Sequence, residues 1–190
     1  MIRLFVGVEL PSDVTDRLYG LRGGVPGARW LEPGNIHLTL RFIGDVEDDE
    51  FCDVDDALGR VSGPAFDLEI NGAGEFSRGR RPVMIWAGIT PNPALLDLQR
   101  RIDAALVKAG FPPEGRRYTP HVTLARIKDG ARARVREFVA GNNGVRLGPF
   151  PVTHFTLFSS HLGHRAASYR AEAAYPLAIT PLTIAEEAMP

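Results

Sequence analysis

The chain is short of several things, and each shortage narrows what it can be. Among 190 residues there is one cysteine, Cys52. No intrachain disulfide can form, so a reducing compartment, the cytoplasm, is expected. Lysine is nearly missing: Lys108 and Lys128 are the only two. The other basic side chains are arginines, whose planar fork suits bidentate phosphate binding; GC-rich coding explains the same bias. The formal net charge is −1, so no global basic field advertises nucleic-acid binding, and any RNA contact must come from a local patch. The N-terminal apolar run, residues 4–10, is broken by Glu9 and closed by Pro11. It is too short to span a bilayer and lacks the cleavage site of a signal peptide, so no membrane partner is expected. No phosphate loop, dinucleotide fingerprint or metallohydrolase motif occurs.

What is present is a pair of matching stretches. One reads Asn35-Ile36-His37-Leu38-Thr39-Leu40-Arg41-Phe42-Ile43 and the other Thr119-Pro120-His121-Val122-Thr123-Leu124-Ala125-Arg126-Ile127. Both are short apolar runs entered from turn-forming residues, which predicts strands. Residues two apart on a strand share a face. His37 and Thr39 therefore point one way and Leu38 and Leu40 the other, and His121, Thr123, Val122 and Leu124 repeat the pattern. If the strands lie side by side, two imidazoles and two hydroxyls converge on one cleft. Such a site suits acid–base work on an oxyanion such as phosphate, because an imidazole near its ordinary pKa can accept or donate a proton at neutral pH.

The paired His-x-Thr motifs resemble the two-histidine (2H) phosphoesterase superfamily, and within it the RNA 2′,3′-cyclic phosphodiesterases, also called 2′-5′ RNA ligase-like proteins. The resemblance covers nearly the whole chain. It includes the opening Arg3-Leu4-Phe5-Val6-Gly7-Val8, Trp30, the stretch Arg81-Pro82-Val83-Met84-Ile85-Trp86 and the region 157–169. It implies an α+β fold of two lobes with pseudo-twofold symmetry, antiparallel sheets with helices outside, and a cleft between. One bilobal domain over residues 1–180 and a tail at 181–190 are expected. The chain of such proteins crosses between lobes, so sequence halves are not equated with lobes.

Taken in order, strands are predicted at residues 2–10, 28–31, 66–71, 83–89, 150–159 and 168–177, besides the two motif strands. Helices are predicted from Ser12 as cap to Gly23, over the stretch holding Phe51, Val54 and Leu58, from Pro93 to Gly110, and over residues 131–140. Glycines and arginines make residues 72–81 a loop.

His37 and His121 are the candidate catalytic pair, one as base and one as acid, with His121 leaned towards as base. Thr39 and Thr123 are placed to donate hydrogen bonds to phosphate oxygens. Arg126 and Phe42 hold equivalent positions, five after each histidine. Strict alternation turns both to the opposite face, so Arg126 needs a strand end, a twist or a bulge to reach an anion. Phe42 and Trp30 are candidates for stacking on a base. His161 and His164 are spaced like metal ligands, but no acidic or cysteine neighbour completes a site; no metal and no cofactor is expected. Arg78, Arg80 and Arg81, Arg116 and Arg117, and Arg132, Arg134 and Arg136 are candidate RNA contacts. The resemblance implies cleavage of an RNA 2′,3′-cyclic phosphate end at its 3′ oxygen, with weak reverse 2′-5′ ligation; a monomer is expected. Two other readings stand beside it: a phosphodiesterase of small cyclic nucleotides or ADP-ribose cyclic phosphate, and a non-catalytic module that binds RNA ends.

Overall fold

A computed structural model describes residues 1–128, 132–162 and 167–178. Strands β1 (Ile2–Glu9), β2 (Ala28–Trp30), β3 (His37–Val46), β4 (Phe66–Arg78), β5 (Arg81–Ile89), β6 (His121–Ile127), β7 (Arg146–Val152), β8 (His154–Leu162) and β9 (Ala167–Pro176) form one antiparallel sheet. Its order is β7-β4-β5-β6-β3-β1-β8-β9, with β2 beside β6. Helices α1 (Ser12–Gly20), α2 (Asp48–Gly59), α3 (Pro93–Lys108) and α4 (Arg132–Gly141) intervene. The fold is α+β. No helix among the described residues is long and apolar enough to cross a membrane.

The sheet is two half-sheets that meet at the motif strands. β3 and β6 are joined through a single residue pair, Leu38 with Val122. On one side lie β3, β1, β8 and β9, on the other β6, β5, β4 and β7. The apolar residues of both motif strands point to one face. Leu38, Leu40, Val122 and Leu124 are buried there in one core with Val14 and Leu18 of α1, Val54 and Leu58 of α2, Leu95 and Ile102 of α3 and Val135 of α4. Burial of that face fixes the strand register, since a slip by one residue would turn it to solvent.

Several boundaries differ from the sequence expectations. Ser12 is the first residue of α1 rather than its cap; Pro11 precedes the helix without a side-chain cap, and Thr15 Oγ1 donates to the Ser12 carbonyl at 2.9 Å. Residues 72–78, expected as loop, continue β4, and only Gly79 and Arg80 form the turn into β5. Gly79 supplies the positive φ that this tight turn needs, at +60°. The stretch 150–159, expected as one strand, is two. Thr153 separates β7, which pairs with β4, from β8, which pairs with β1 in the other half-sheet. β7 carries Pro149 and Pro151, which an edge strand tolerates. The expected tail, 181–190, lies outside the described residues.

Candidate active site

The Leu38–Val122 pairing determines the site. In an antiparallel pair the residues on either side of a matched pair oppose one another in reverse order. His37 thus falls beside Thr123, and Thr39 beside His121. The turn residues ahead of each strand then fix each ring. His37 Nδ1 lies 2.9 Å from the Asn35 carbonyl and His121 Nδ1 lies 2.7 Å from the Thr119 carbonyl. A carbonyl can only accept, so both Nδ1 atoms carry a proton and, in the neutral rings, both Nε2 atoms carry the lone pair. His37 Nε2 is 3.1 Å from Thr39 Oγ1. In the neutral ring that nitrogen is the acceptor, so the threonine hydroxyl donates. Thr123 Oγ1 donates to Met84 Sδ at 3.4 Å, a weak bond that a better acceptor displaces.

A β-bulge in each motif strand resolves the problem of Arg126 and Phe42. The β1–β3 register steps from Gly7–Thr39 to Val6–Arg41, leaving Leu40 unmatched. The β5–β6 register steps from Trp86–Thr123 to Ile85–Ala125, leaving Leu124 unmatched. Two consecutive residues therefore point inward in each strand: Leu40 and Arg41, and Leu124 and Ala125. The residue after each pair is turned to the histidine face. Phe42 emerges there, 57% exposed, with its ring 5.9 Å from that of Phe5. Arg126 emerges in the same way, and its charge depresses the pKa of His37.

Trp30 is not brought to the histidines. It pairs with the inward-facing Ala125 and packs on Phe138 of α4 with ring centroids 5.2 Å apart. It is therefore part of the covered face, and α4, with Arg132, Arg134 and Arg136, lies on that side too. Sequence reasoning missed the aromatic walls. Phe5 stacks on His37 at 4.8 Å, and Tyr169 meets the same ring edge-on at 5.1 Å. Phe76 stands edge-on to His121 at 4.8 Å, with Trp86 beyond at 6.4 Å. The signal that could have found them is strand alternation carried from the histidines across to β1, β4 and β5. Tyr118 was also missed; its hydroxyl donates to the Thr39 carbonyl at 3.0 Å, and burial raises its pKa.

The aromatic walls enclose the imidazoles and disfavour their charged forms. Burial pushes His37 down to about 4, helped by the nearby His121 and Arg126. Burial also lowers His121. Two other histidines have partners of their own. His154 Nε2 is 3.4 Å from Glu9 Oε2, and His161 Nε2 is 2.8 Å from Ser159 Oγ. His164 lies outside the described residues.

Two imidazoles, two hydroxyls and one guanidinium are thus brought to a common face, a set that can move protons and hold an oxyanion. Comparison with known proteins gives the family. The chain matches the family described as LigT like Phosphoesterase over residues 8–86 and 88–167, one motif in each segment. It is 31% identical over 168 residues to the RNA 2′,3′-cyclic phosphodiesterase of Methanothermobacter thermautotrophicus, covering 85% of this chain and 91% of that one. It is 28% identical to the protein of that name from Escherichia coli, covering 88% and 92%. Its fold matches the crystal structure of apo E. coli LigT with a TM-score of 0.74 at 26% identity, over 93% of this chain and 97% of that one. The chain belongs to the LigT-like phosphoesterase family.

Proposed function

We propose that this enzyme hydrolyses the 2′,3′-cyclic phosphate end of RNA to a 2′-phosphomonoester. The observation that carries the proposal is the pairing of the two motif strands at Leu38 and Val122, which sets each histidine near the other strand's threonine, with each Nδ1 held by a backbone carbonyl. The names of the relatives at 31% and 28% identity support the substrate class.

In the reaction one Nε2 takes a proton from water as the water oxygen attacks phosphorus. The bond from phosphorus to the 3′ oxygen breaks, and the other histidine, as imidazolium, protonates that oxygen. The proton taken and the proton given balance, so the phosphomonoester forms with the charge of the cyclic diester, and extra negative charge gathers on the phosphoryl oxygens only in the five-coordinate transition state. Thr39, Thr123 and Arg126 hold the phosphoryl oxygens as that charge builds. The roles follow from burial. His37, pushed down to about 4, is neutral in the resting enzyme and already accepts at Nε2 from Thr39. A bound phosphate anion raises both imidazoles, and the less enclosed His121 takes the proton first. His37 is thus assigned as base and His121 as acid, the reverse of the lean from sequence. Run backwards, the same steps join a 5′-hydroxyl to a cyclic phosphate as a 2′-5′ linkage.

A second reading, turnover of small cyclic nucleotides, is favoured by one observation: E. coli LigT, 25% identical, has been solved with NADP+ and with ATP. Incubation with an oligoribonucleotide ending in a 2′,3′-cyclic phosphate, and with a nucleoside 2′,3′-cyclic phosphate, separates the two. A 2′-phosphorylated oligonucleotide is the expected product. No turnover of either substrate would exclude hydrolysis and leave a binding module.

A further inference from the structure

β2 and β3 lie on the same side of β6, one after the other along it. Arg29 of β2 is matched with Arg126, Trp30 with Ala125 and Ala28 with Ile127. Directly opposed residues of an antiparallel pair share a face, with Cβ atoms about 5 Å apart. Because the bulge at Leu124 turns Arg126 to the histidine face, Arg29 is turned there with it. Two exposed arginines therefore stand at directly opposed positions on the same face. Like charges so placed repel. Neither arginine has a carboxylate partner among the described residues, whereas Arg3 on the same face is bound by both Asp45 oxygens at 2.9 and 2.7 Å. In a chain of net charge −1, this is a local excess of positive charge that an anion would relieve.

Position indicates which anion. The order along β6 and outward is His121, Thr123, Arg126, and then Arg29 across the strand. In the hydrolase reading Thr123 and Arg126 hold the reacting phosphoryl group, with His121 beside it as acid. An anion held by Arg29 is displaced from it on the side away from the histidines. In an RNA end the next anion after the cyclic phosphate is the phosphate on the 5′ oxygen of the same nucleoside.

We propose that Arg29, beside Arg126, forms a second phosphate subsite that binds the 5′ phosphate of the nucleoside carrying the cyclic phosphate. This rests on the hydrolase reading above, and it makes Arg29 a specificity residue, favouring substrates that extend 5′ over a bare nucleoside. The 5′ phosphate is the internucleotide diester of an RNA chain or the monoester of a 5′-phosphorylated mononucleotide.

The test compares kcat/KM of the wild type, Arg29→Gln and Arg29→Lys on three substrates. These are adenosine 2′,3′-cyclic phosphate, its 5′-phosphorylated form, and the dinucleotide ApA ending in a 2′,3′-cyclic phosphate. Arg29→Gln should lose about tenfold more on the dinucleotide than on the bare nucleoside, mostly through KM. The negative log-log salt slope for the dinucleotide should fall by about 0.7, and Arg29→Lys should recover part of the loss. An equal loss on the 5′-phosphorylated mononucleotide means that the phosphate itself is read; a loss on the dinucleotide alone means that the diester is. A loss equal on all three substrates, or on none, overturns the subsite. If the wild type cleaves none of them, the hydrolase reading fails and the subsite is judged by calorimetry. Arg29→Gln should then weaken binding of ApA 3′-phosphate and not of adenosine 3′-phosphate; unchanged binding of both overturns it.

Discussion

Arg41 Nε donates to Asp103 Oδ1 at 2.6 Å, and through this bond the first motif strand holds the segment that delivers the second. Arg41 is buried by the bulge in β3. Its other nitrogens donate to the carbonyls of Phe42 and Pro112, and Glu114 Oε2 lies 3.6 Å away. The Glu114 amide also donates to Asp103 Oδ1 at 3.3 Å. Residues 111–120, which have no regular structure, are thus tied to α3 and β3 before they enter β6 at His121.

Arg41→Met should be strongly destabilising, because it strands Asp103 and the carbonyls of Phe42 and Pro112. A loss on the order of 3 kcal/mol is expected for breaking such a pair, or roughly 10 °C in Tm for a chain this size. Adding Asp103→Leu should restore part of it. Thermal unfolding checks this, and an unchanged Tm in the single variant would show that the pair holds nothing.

His37→Ala and His121→Ala should each lower kcat by about a hundredfold or more, the scale of losing a general acid or base. The double variant should be little worse than either single one, because the two act as a unit. His161→Ala, on a histidine bonded to Ser159 away from the site, serves as the control and should keep most activity. Steady-state kinetics on a cyclic-phosphate oligonucleotide decides the matter.

The pH profile of kcat/KM should be a bell centred below pH 6.5. The free enzyme needs one neutral and one charged imidazole, and burial holds both below the ordinary value, His37 at about 4. A bound phosphate anion raises both, so the optimum of kcat should lie at higher pH. The two apparent values belong to the coupled pair. Folding stability carries the same signature. A histidine lowered in the folded chain binds its proton more tightly when unfolded. The stability it confers is complete above pH 6.5 and is lost as pH falls towards 4. His37→Gln should flatten that part of the Tm profile. A rate that climbs to a plateau above pH 9 would remove the need for an imidazolium.

Gly74→Ala should damage catalysis through Trp86. A Cβ at residue 74 would sit 2.2 Å from two carbons of the indole, which lies across that glycine. The indole must move, and it is matched with Thr123 and borders His121. A tenfold or greater loss of kcat, with an altered near-ultraviolet circular dichroism signal, is expected. Wild-type kinetics in this variant would show that Trp86 is not needed in place.

The meeting of the two motif strands was legible because the sequence repeats itself: His37 and Thr39 recur as His121 and Thr123, backed by apolar residues at the same offsets. Beyond those four residues, period-two reasoning broke down at Leu40 and again at Ile43 in β3, and at Leu124 in β6. The bulges at Leu40 and Leu124 come from pairing with β1 and β5, and no local pattern in the motif strands announces them. For this reason the facing of Phe42 and Arg126 could not be read off. Trp30 looked like a stacking platform because the sequence does not say which face β2 shares with β6. The glycines of residues 72–79 suggested a loop because glycine is ordinarily a poor strand former; here Gly74 makes room for Trp86.

The one-residue passage at Thr153 has a mechanical consequence. It brings the end of β7 next to the start of β8, and the strand ends around it bond to one another. The Leu177 amide donates to the Thr153 carbonyl at 2.7 Å, and the Ala65 amide donates to the Ala178 carbonyl at 2.8 Å. Pro64 and Ala178 form a parallel bridge. Two half-sheets joined only at Leu38 and Val122 would swing about that point like covers on a spine. Fastened again at the far corner, the half-sheets close into a loop of strands among the described residues. Two attachments resist a swing that one would allow, so substrate binding should spend little energy on drawing the imidazoles together.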